Sequence, residues 1–466
     1  MNELTIELST ESGKCLYEQI YEYIRKEIRE GKLLQGEKLP STRALAAFLQ
    51  VARSTVELAY EQLLSEGYVE SVPYKGYFVC RMEELYHIET KTEKEENEKA
   101  HCVEKYEIDF SPNGIEMEYF PYEAWKRISK NTLNDGRKEM FALGSPQGDF
   151  ELRATIAKYL YGSRGVHCLP EQIIVGAGND FLLLLLEKIL GRHVRIGMET
   201  QTYRRAYRIF NSFAYEICPV KQDGAGIVVE ELEKSGASAV YVMPSHQFPT
   251  GNVMPIGRRT ELLKWAYEKE ERYIIEDDYD SEFRYKGKPI PSLQASDKME
   301  KVIYIGTFSK AIAPAIRISF MVLPKRLLKF YKENLSFYSS TVSRIDQMIL
   351  NDFIKDGYFE RYLNKMRKVY KAKHDLLVGE CKSLEAQFEL SGENAGLHVL
   401  LRSKKGKTEK ELIDRAAGYG IKVYGLSDGY ITEEKPETHT VLLGYGGLKE
   451  TEIQKGIKQL KRAWSE

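Results

Sequence analysis

The chain has 466 residues, with 68 Lys and Arg against 69 Asp and Glu, a formal net charge of −1, 42% hydrophobic residues and 29% charged residues. That is the make-up of an ordinary globular protein, large enough to bury its cores without disulfide or metal staples, and at about 150 residues per domain it suggests roughly three compact units. The even charge balance excludes a tail-driven polybasic binder, but it leaves room for a small DNA-reading domain inside a neutral chain.

Residues 1–11 carry acidic side chains and no long apolar core, so no secretory signal is expected there. Leu16, Ile20, Ile24 and Ile28 then recur every four residues, the apolar stripe of an amphipathic helix that ends near Gly31. Pro40 stops any helix before it, and Ser41 is placed to cap the next one, Ala44 to Leu49. Arg53-Ser54-Thr55-Val56 opens a third helix, carried on by Tyr60, Leu63 and Leu64 and stopped at Gly67. Two short apolar runs, Tyr68–Val72 and Tyr77–Val79, flank a turn at Pro73 to Gly76. Three helices and a hairpin describe a winged helix-turn-helix. In that architecture the start of the third helix enters the major groove of double-stranded DNA. Arg43, Arg53, Ser54 and Thr55 sit where such contacts are made, and Lys75 at the hairpin tip is placed to reach a phosphate or a minor groove. The competing reading is a small helical domain whose Ser and Thr only cap helices.

Residues 81–105 differ in texture, with eight glutamates, five Lys or Arg and few apolar residues. Such a stretch cannot bury enough surface to offset its ordering entropy and reads as a charged linker, a solvated helix being the alternative. It divides a unit at 1–80 from one at 106–466.

In the second unit, Ile173–Val175, Arg195–Gly197, Ala239–Met243, Tyr273–Glu276 and Val302–Ile305 read as short buried strands. Asn179–Leu190 and Arg258–Glu271 are helical patterns between them. The alternation implies an α/β fold with a mostly parallel sheet, and such sheets bind ligands beyond the carboxyl ends of their strands. The six cysteines are scattered with no Cys-x-x-Cys pair, so no zinc site and no disulfide framework is expected. The longest apolar run, Phe181 to Leu186, is too short to span a bilayer, and a cytoplasmic protein without a membrane partner is expected.

Three strand ends carry chemistry. Gly176-Ala177-Gly178-Asn179 can cradle a phosphate or make a tight turn. Glu276-Asp277-Asp278-Tyr279-Asp280 alone is compatible with a metal site or a solvated strand end. Gly306-Thr307-Phe308-Ser309-Lys310 leads on to Arg317, and a lone loop lysine is usually solvated. Together they supply what pyridoxal 5'-phosphate requires: an amine for its aldehyde, a carboxylate for its ring nitrogen, a tyrosine for its phenolic oxygen, and hydroxyls with an arginine for its phosphate.

The strings Leu16 to Ile20, Leu39 to Arg43, Arg53 to Val56 and Leu63 to Val69 resemble the GntR-type winged helix. Residues 106–466 resemble the fold-type I, aspartate-aminotransferase-like proteins, through Ser145 to Gly148 with Arg153, Pro244 to Gly251, Glu276 to Tyr279, and Ser309-Lys310 with Arg317. That resemblance implies a large, mostly parallel domain with a smaller C-terminal α+β subdomain. It implies Lys310 as the Schiff-base lysine, Asp277 as the ring-nitrogen partner and Tyr279 as the neighbour of the ring oxygen. It implies Thr307, Ser309 and Arg317 as phosphate ligands, helped by Gly178 and Asn179, with Tyr203 stacked on the ring. Arg205 is the candidate for an effector carboxylate.

Two departures stand out. Phe248-Pro249-Thr250-Gly251 replaces the aminotransferase Asn-Pro-x-Gly, so the asparagine near the ring oxygen is missing, with His246 and Gln247 as possible substitutes. Gly444-Tyr445-Gly446-Gly447-Leu448 occupies the region of the C-terminal carboxylate-gripping arginine without supplying one, which leaves Arg402 as a candidate. The two halves together resemble the MocR/GabR subfamily of transcription regulators. The resemblance implies an operator-binding homodimer, domain-swapped, that senses an amine or amino-acid effector or pyridoxal phosphate itself. The rival reading is a working aminotransferase with an attached DNA-binding domain.

Overall fold

The structure, a computed structural model, describes residues 6, 8, 9, 13–80, 106–133, 138–285 and 290–465. The charged stretch expected as a linker, residues 81–105, lies outside them. The chain divides into two units, Met1–Val103 and Glu104–Glu466.

In the first unit, α1 (Leu16–Arg29), α2 (Thr42–Leu49) and α3 (Arg53–Ser65) precede a hairpin of β1 (Val69–Val72) and β2 (Gly76–Val79). The four-residue stripe buries Ile20, Ile24 and Ile28 against Leu45, Val56, Tyr60 and Leu63. Helix α2 starts two residues earlier than its apolar pattern suggests, because the Ser41 side chain accepts the Ala44 amide at 3.1 Å and pulls Thr42 and Arg43 into the first turn. Gln50 ends it in the left-handed conformation, φ 55°, which turns the chain sharply into α3. Tyr60 ties that turn down by donating to the Pro40 carbonyl at 2.9 Å.

The second unit holds a seven-stranded sheet in the order Ile173–Gly176, Ser319–Val322, Val302–Thr307, Tyr273–Asp278, Ala239–Val242, Ile196–Glu199, Ile217–Val220. Only Ser319–Val322 runs against its neighbours. Helices cover both faces, so the strands are apolar throughout rather than alternating. The helix expected at Arg258–Glu271 spans Ile256–Tyr267, set early by Pro255. A four-stranded antiparallel sheet, Phe388–Ser391, His398–Ser403, Thr440–Gly444 and Tyr424–Gly425, forms the C-terminal subdomain with helices Tyr358–Cys381, Glu409–Gly418 and Glu450–Ser465. One continuous core runs from Val175 and Phe308 to Leu443 and Trp464. This shared core is why chain length suggests three units and the contacts give two.

A strap at residues 110–118 joins the two sheets. Its backbone lies directly on the glycine run: a Cβ at Gly444 would meet the Ser111 carbonyl oxygen at 2.1 Å, and one at Gly446 the Gly114 oxygen at 2.4 Å. The buried Lys373–Glu116 ion pair, 2.6 Å, pins the far end of the strap to helix Tyr358–Cys381. Gly444→Ala is therefore expected to cost about 1–3 kcal/mol through forced backbone displacement. Gly379→Ala, in the last turn of its helix with no atom within 4 Å of its new Cβ, is expected to stabilise by about 0.5–1 kcal/mol. Denaturant unfolding of the two variants checks the opposite signs.

Candidate functional site

A cleft of about 200 Å³ opens at the carboxyl ends of the parallel strands. It is lined by Gly178, Asn179, Tyr203, Arg205, Asp277, Tyr279, Thr307, Ser309, Lys310 and Arg317, all singled out from the sequence. Strand Tyr273–Asp278 delivers Asp277, strand Val302–Thr307 delivers Thr307, and the loop that follows carries Ser309 and Lys310.

The Lys310 ammonium donates to the Pro112 carbonyl on the strap, 2.8 Å away. Burial holds its pKa below the ordinary lysine value, and the Asp280 carboxylate works against that shift. Asp277 is 4% exposed, and burial pushes its carboxyl up to about 7 despite two hydrogen-bond donors. Tyr241 donates to it at 2.5 Å, and the Asn179 amide donates at 3.3 and 3.4 Å. Tyr241 was missed in the sequence, since a tyrosine inside an apolar strand reads as core.

The phosphate-type donors converge as well. Thr307 Oγ1 accepts from the Ser319 hydroxyl at 2.8 Å and from the Ser309 amide at 3.2 Å. Ser309 Oγ is buried and, among the described residues, has no hydrogen-bond partner. Arg317 stands in the left-handed region, φ 51°, and its guanidinium fills the space that a side chain at Gly178 would take, 2.5 Å from the ideal Cβ. Such a φ is strained for a non-glycine residue. Tyr203 meets Phe248 edge-on at 5.8 Å on the opposite wall.

Behind Tyr279 lies a second cluster. His246 Nδ1 is 2.9 Å from the Tyr279 hydroxyl and 2.9 and 3.1 Å from the Asp280 carboxylate oxygens. The ring fits only because residue 396 is glycine; a Cβ there would lie 2.0 Å from His246 Cε1. His398, whose pKa burial lowers to about 3, donates from Nε2 to the Pro249 carbonyl at 3.0 Å and is neutral. Neither proposed substitute for the missing asparagine lines the cleft. Gln247 spends its amide nitrogen on Glu199 and the Gln201 carbonyl, and its oxygen on Thr250. Arg402 is not brought to the cleft either. Strand alternation buries Leu401 and Ser403 and turns Arg402 outward, opposite Glu389 and Thr440.

In the first unit, Arg43, Arg53, Ser54 and Lys75 are exposed and Thr55 is half-buried. Arg53 Nε pairs with Glu57 one turn on, 2.8 Å away. Lys75 follows Tyr74, which occupies the hairpin tip at φ 65° where a glycine is the easier choice.

The chain's donors match pyridoxal phosphate group by group. The orphaned Ser309 hydroxyl, the Gly178 cradle and Arg317 suit a phosphate. A buried carboxylate at Asp277 calls for a cationic N–H, and Lys310 supplies the amine. Among the described residues no group of three or more His, Cys, Asp or Glu is placed to hold a metal, and no helix is long and apolar enough to cross a membrane.

Asp277 gives a pH prediction. Its folded value of about 7 lies above an unfolded value near ~3.9. Between those two values the folded chain keeps a proton that the unfolded chain has released, so stability falls as pH rises from about 4 to about 7 and levels off above. Glu199, Glu276 and Glu282, each pushed by burial to about 7, act in the same direction. Asp277→Asn is expected to flatten part of the slope, read by urea unfolding at successive pH values.

Comparison with known proteins places both halves. Residues 16–79 match the family of bacterial regulatory proteins, gntR family, and residues 115–427 match aminotransferase class I and II. The HTH-type transcriptional regulator YdeL of Bacillus subtilis (strain 168) is 42% identical over 450 residues, covering 96% of each chain. The probable rhizopine catabolism regulatory protein MocR of Rhizobium meliloti is 31% identical over 472 residues, covering 98% of this chain and 95% of that one. The crystal structure of Pyrococcus horikoshii kynurenine aminotransferase superposes with a TM-score of 0.67 at 24% identity, over 77% of this chain and 90% of that one, a likeness of fold. With a GntR-type unit, an aminotransferase class I and II unit and relatives similar along nearly its whole length, the chain belongs to the MocR/GabR subfamily of GntR-type regulators.

Proposed function

We propose that this chain is a DNA-binding transcription regulator whose second unit holds pyridoxal phosphate at Lys310 and responds to an amine-bearing ligand, or to the cofactor itself. The observation that carries the reading is the convergence of Lys310, Asp277, Ser309 and Arg317 on one cleft, in a chain that also presents Arg43, Arg53 and Ser54 on a helix-turn-helix. When bound, pyridoxal phosphate supplies an aldehyde that condenses with primary amines. Arg317, Ser309, Thr307 and the helix-start amide of Asn179 would bind the phosphate, with Gly178, whose own amide donates to the Gly176 carbonyl, leaving room for the Arg317 guanidinium. Asp277 orients the ring by accepting its N–H, with Tyr241 and Asn179 holding the carboxylate in place. Tyr203 and Phe248 close the wall and exclude water. Lys310, depressed in pKa by burial, presents an amine with a reduced cost of deprotonation. Exposed Phe141, Leu143 and Phe337 support association into a homodimer. Crossing of each DNA-binding unit to the partner's body belongs to the same proposal.

In the first unit, Arg53, Ser54, Thr55 and Arg43 contact the operator from the start of α3 and α2, and Lys75 meets its backbone. The unit has nine Lys or Arg against twelve Asp or Glu in residues 1–80, so affinity rests on placed contacts and on pairing of two units rather than on bulk charge.

The test is a titration of the duplex upstream of the protein's own gene against a scrambled duplex, at fixed salt, with and without pyridoxal phosphate. Preferential binding is expected. Arg53→Ala is expected to weaken it by about 1–3 kcal/mol and leave the cofactor's absorbance unchanged. Glu57→Gln, which releases Arg53, is expected to strengthen it. Lys310→Ala is expected to abolish the Schiff-base absorbance while DNA binding persists. Equal, weak binding to both duplexes together with turnover of an amino donor and a keto acid would favour the enzyme reading instead.

A further inference from the structure

Tyr279 lines the cleft, and its hydroxyl keeps its proton. Burial, with the Asp280, Asp277 and Asp278 carboxylates nearby, holds its pKa well above the ordinary tyrosine value. Where that hydrogen points depends on His246 behind it. The His246 ring is buried and stacks on the Tyr279 ring at 30°, with 5.9 Å between centroids. Its Nδ1 stands among three oxygens, Tyr279 Oη at 2.9 Å and the two of the buried Asp280 carboxylate at 2.9 and 3.1 Å. Its Nε2 is buried and, among the described residues, has no hydrogen-bond partner.

Those contacts assign the ring's hydrogen. A lone pair on Nδ1 would face a buried carboxylate, and the hydrogen would then sit on Nε2 with nothing to receive it. Both arrangements are costly in a buried place. Nδ1 therefore carries hydrogen and gives it to Asp280, leaving Nε2 as the bare acceptor. A nitrogen that donates cannot also accept, so Tyr279 does not spend its hydroxyl hydrogen on His246. Its oxygen meets the Nδ1 side of the ring, and its hydrogen is left for the cleft. The other titratable groups do not claim that hydrogen. His398, tilted against His246 at 5.2 Å, is neutral and gives its own Nε2–H to the Pro249 carbonyl. The Lys310 ammonium is a donor only and meets the Pro112 carbonyl. Asp277 is taken by Tyr241 and Asn179, and Asp278 by Arg164 and Tyr304. Asp280 is the competitor within reach, and the imidazole already draws on both of its oxygens.

We propose that Asp280 and His246 are positioning residues: Asp280 keeps His246 Nδ1 a donor, and His246 thereby turns the Tyr279 hydroxyl hydrogen toward the cofactor's ring oxygen. The cleft wall carries Phe248 where an asparagine would supply a second donor to that oxygen, so the burden falls on Tyr279 and on the pair that aims it. The inference rests on the reading of Lys310 as the cofactor lysine and of Tyr279 as the neighbour of the ring oxygen.

The test uses the full chain saturated with pyridoxal phosphate, its visible absorbance followed as the pH is raised. The quantity read is the midpoint at which the Schiff base loses its proton. A hydrogen bond given to the charged ring oxygen weakens that oxygen's hold on the neighbouring Schiff-base proton, so losing the donor raises the midpoint. Tyr279→Phe is expected to raise it by about one pH unit, the tenfold scale of one hydrogen bond to a charged group. His246→Leu and His246→Phe, which have no N–H, are expected to raise it in the same direction and by no more. His246→Gln, which keeps an N–H for Asp280, is expected to stay near the starting value. Placed on top of Tyr279→Phe, the His246 substitutions are expected to add nothing. An unmoved midpoint in Tyr279→Phe would mean that Tyr279 gives its hydrogen to Asp280, and would overturn the inference. So would an unmoved midpoint in both variants without an N–H, a His246→Gln midpoint as high as theirs, or a shift that persists in the double variant. Loss of the cofactor from both His246→Leu and His246→Phe, with Tyr279→Phe still loaded, would overturn it too, since a residue acting only through Tyr279 cannot matter more than Tyr279. If pyridoxal phosphate gives no absorbance that depends on Lys310, the underlying reading falls and this inference falls with it; a normal absorbance with any of those results overturns this inference alone.

Discussion

A carboxylate buried at the end of a central parallel strand sets the terms for the rest of the cleft. Asp277 is almost wholly withdrawn from solvent. An isolated charge in such a place is disfavoured by several kcal/mol, so it must find a cation, take a proton or collect hydrogen bonds. The fold gives it a tyrosine from the adjacent strand and an asparagine from a helix N-terminus, and these hold the oxygens without cancelling the charge. What the position still lacks is a cationic N–H donor. The orphaned Ser309 hydroxyl on the same wall lacks a donor-accepting partner of its own. A ligand with a protonatable ring nitrogen at one end and an oxyanion at the other answers both needs at once.

Strand alternation explains why three acidic residues in a row do not repel the chain out of its sheet. Asp277 faces the cleft, while Glu276 and Asp278 point to the other face. There Glu276 accepts the Leu293 and Gln294 amides at 2.8 and 2.9 Å. Asp278 accepts from Arg164 at 2.7 Å and from Tyr304 at 2.6 Å, and Arg164 also donates to Ser245 at 2.5 Å. The second face thus carries a polar layer braced through Glu276 and through Asp278 Oδ2, while Asp278 Oδ1 has no hydrogen-bond partner among the described residues. It fixes the strand end against the loop that carries His246 and so sets the position of Tyr279.

The fold and the inner cleft were legible because their signals are local. Apolar runs of strand length, a glycine at a helix start and a lysine after a strand each depend on neighbours in sequence. Ser41 and Gly67 marked helix ends for the same reason. Less legible were contacts formed across long separations. Tyr241 reads as core until strand pairing sets it beside Asp277. Arg205 reads as a free guanidinium until helix packing brings an Asp180 oxygen to its Nη2. Arg402 reads as a candidate ligand until the alternation of its strand is known. Glu57 lies one turn on from the arginine at the head of α3 and pairs with it.

The glycine run after Thr440 had a meaning that no side chain could advertise. Gly444, Gly446 and Gly447 let the strap settle backbone to backbone, with Gly114 in contact with Gly447. That seating brings the Pro112 carbonyl within 2.8 Å of Lys310. A carbonyl accepts a hydrogen bond from an ammonium but does not neutralise it, unlike a carboxylate. Lys310 is therefore held in position while burial still lowers its pKa, which is the combination a nucleophilic amine needs. Had the strap been lifted by a single methyl group, the lysine would keep its place in the sequence motif and lose the partner that aims it. On the proposed function, the reactivity of Lys310 is thus governed by glycines that have no side chain.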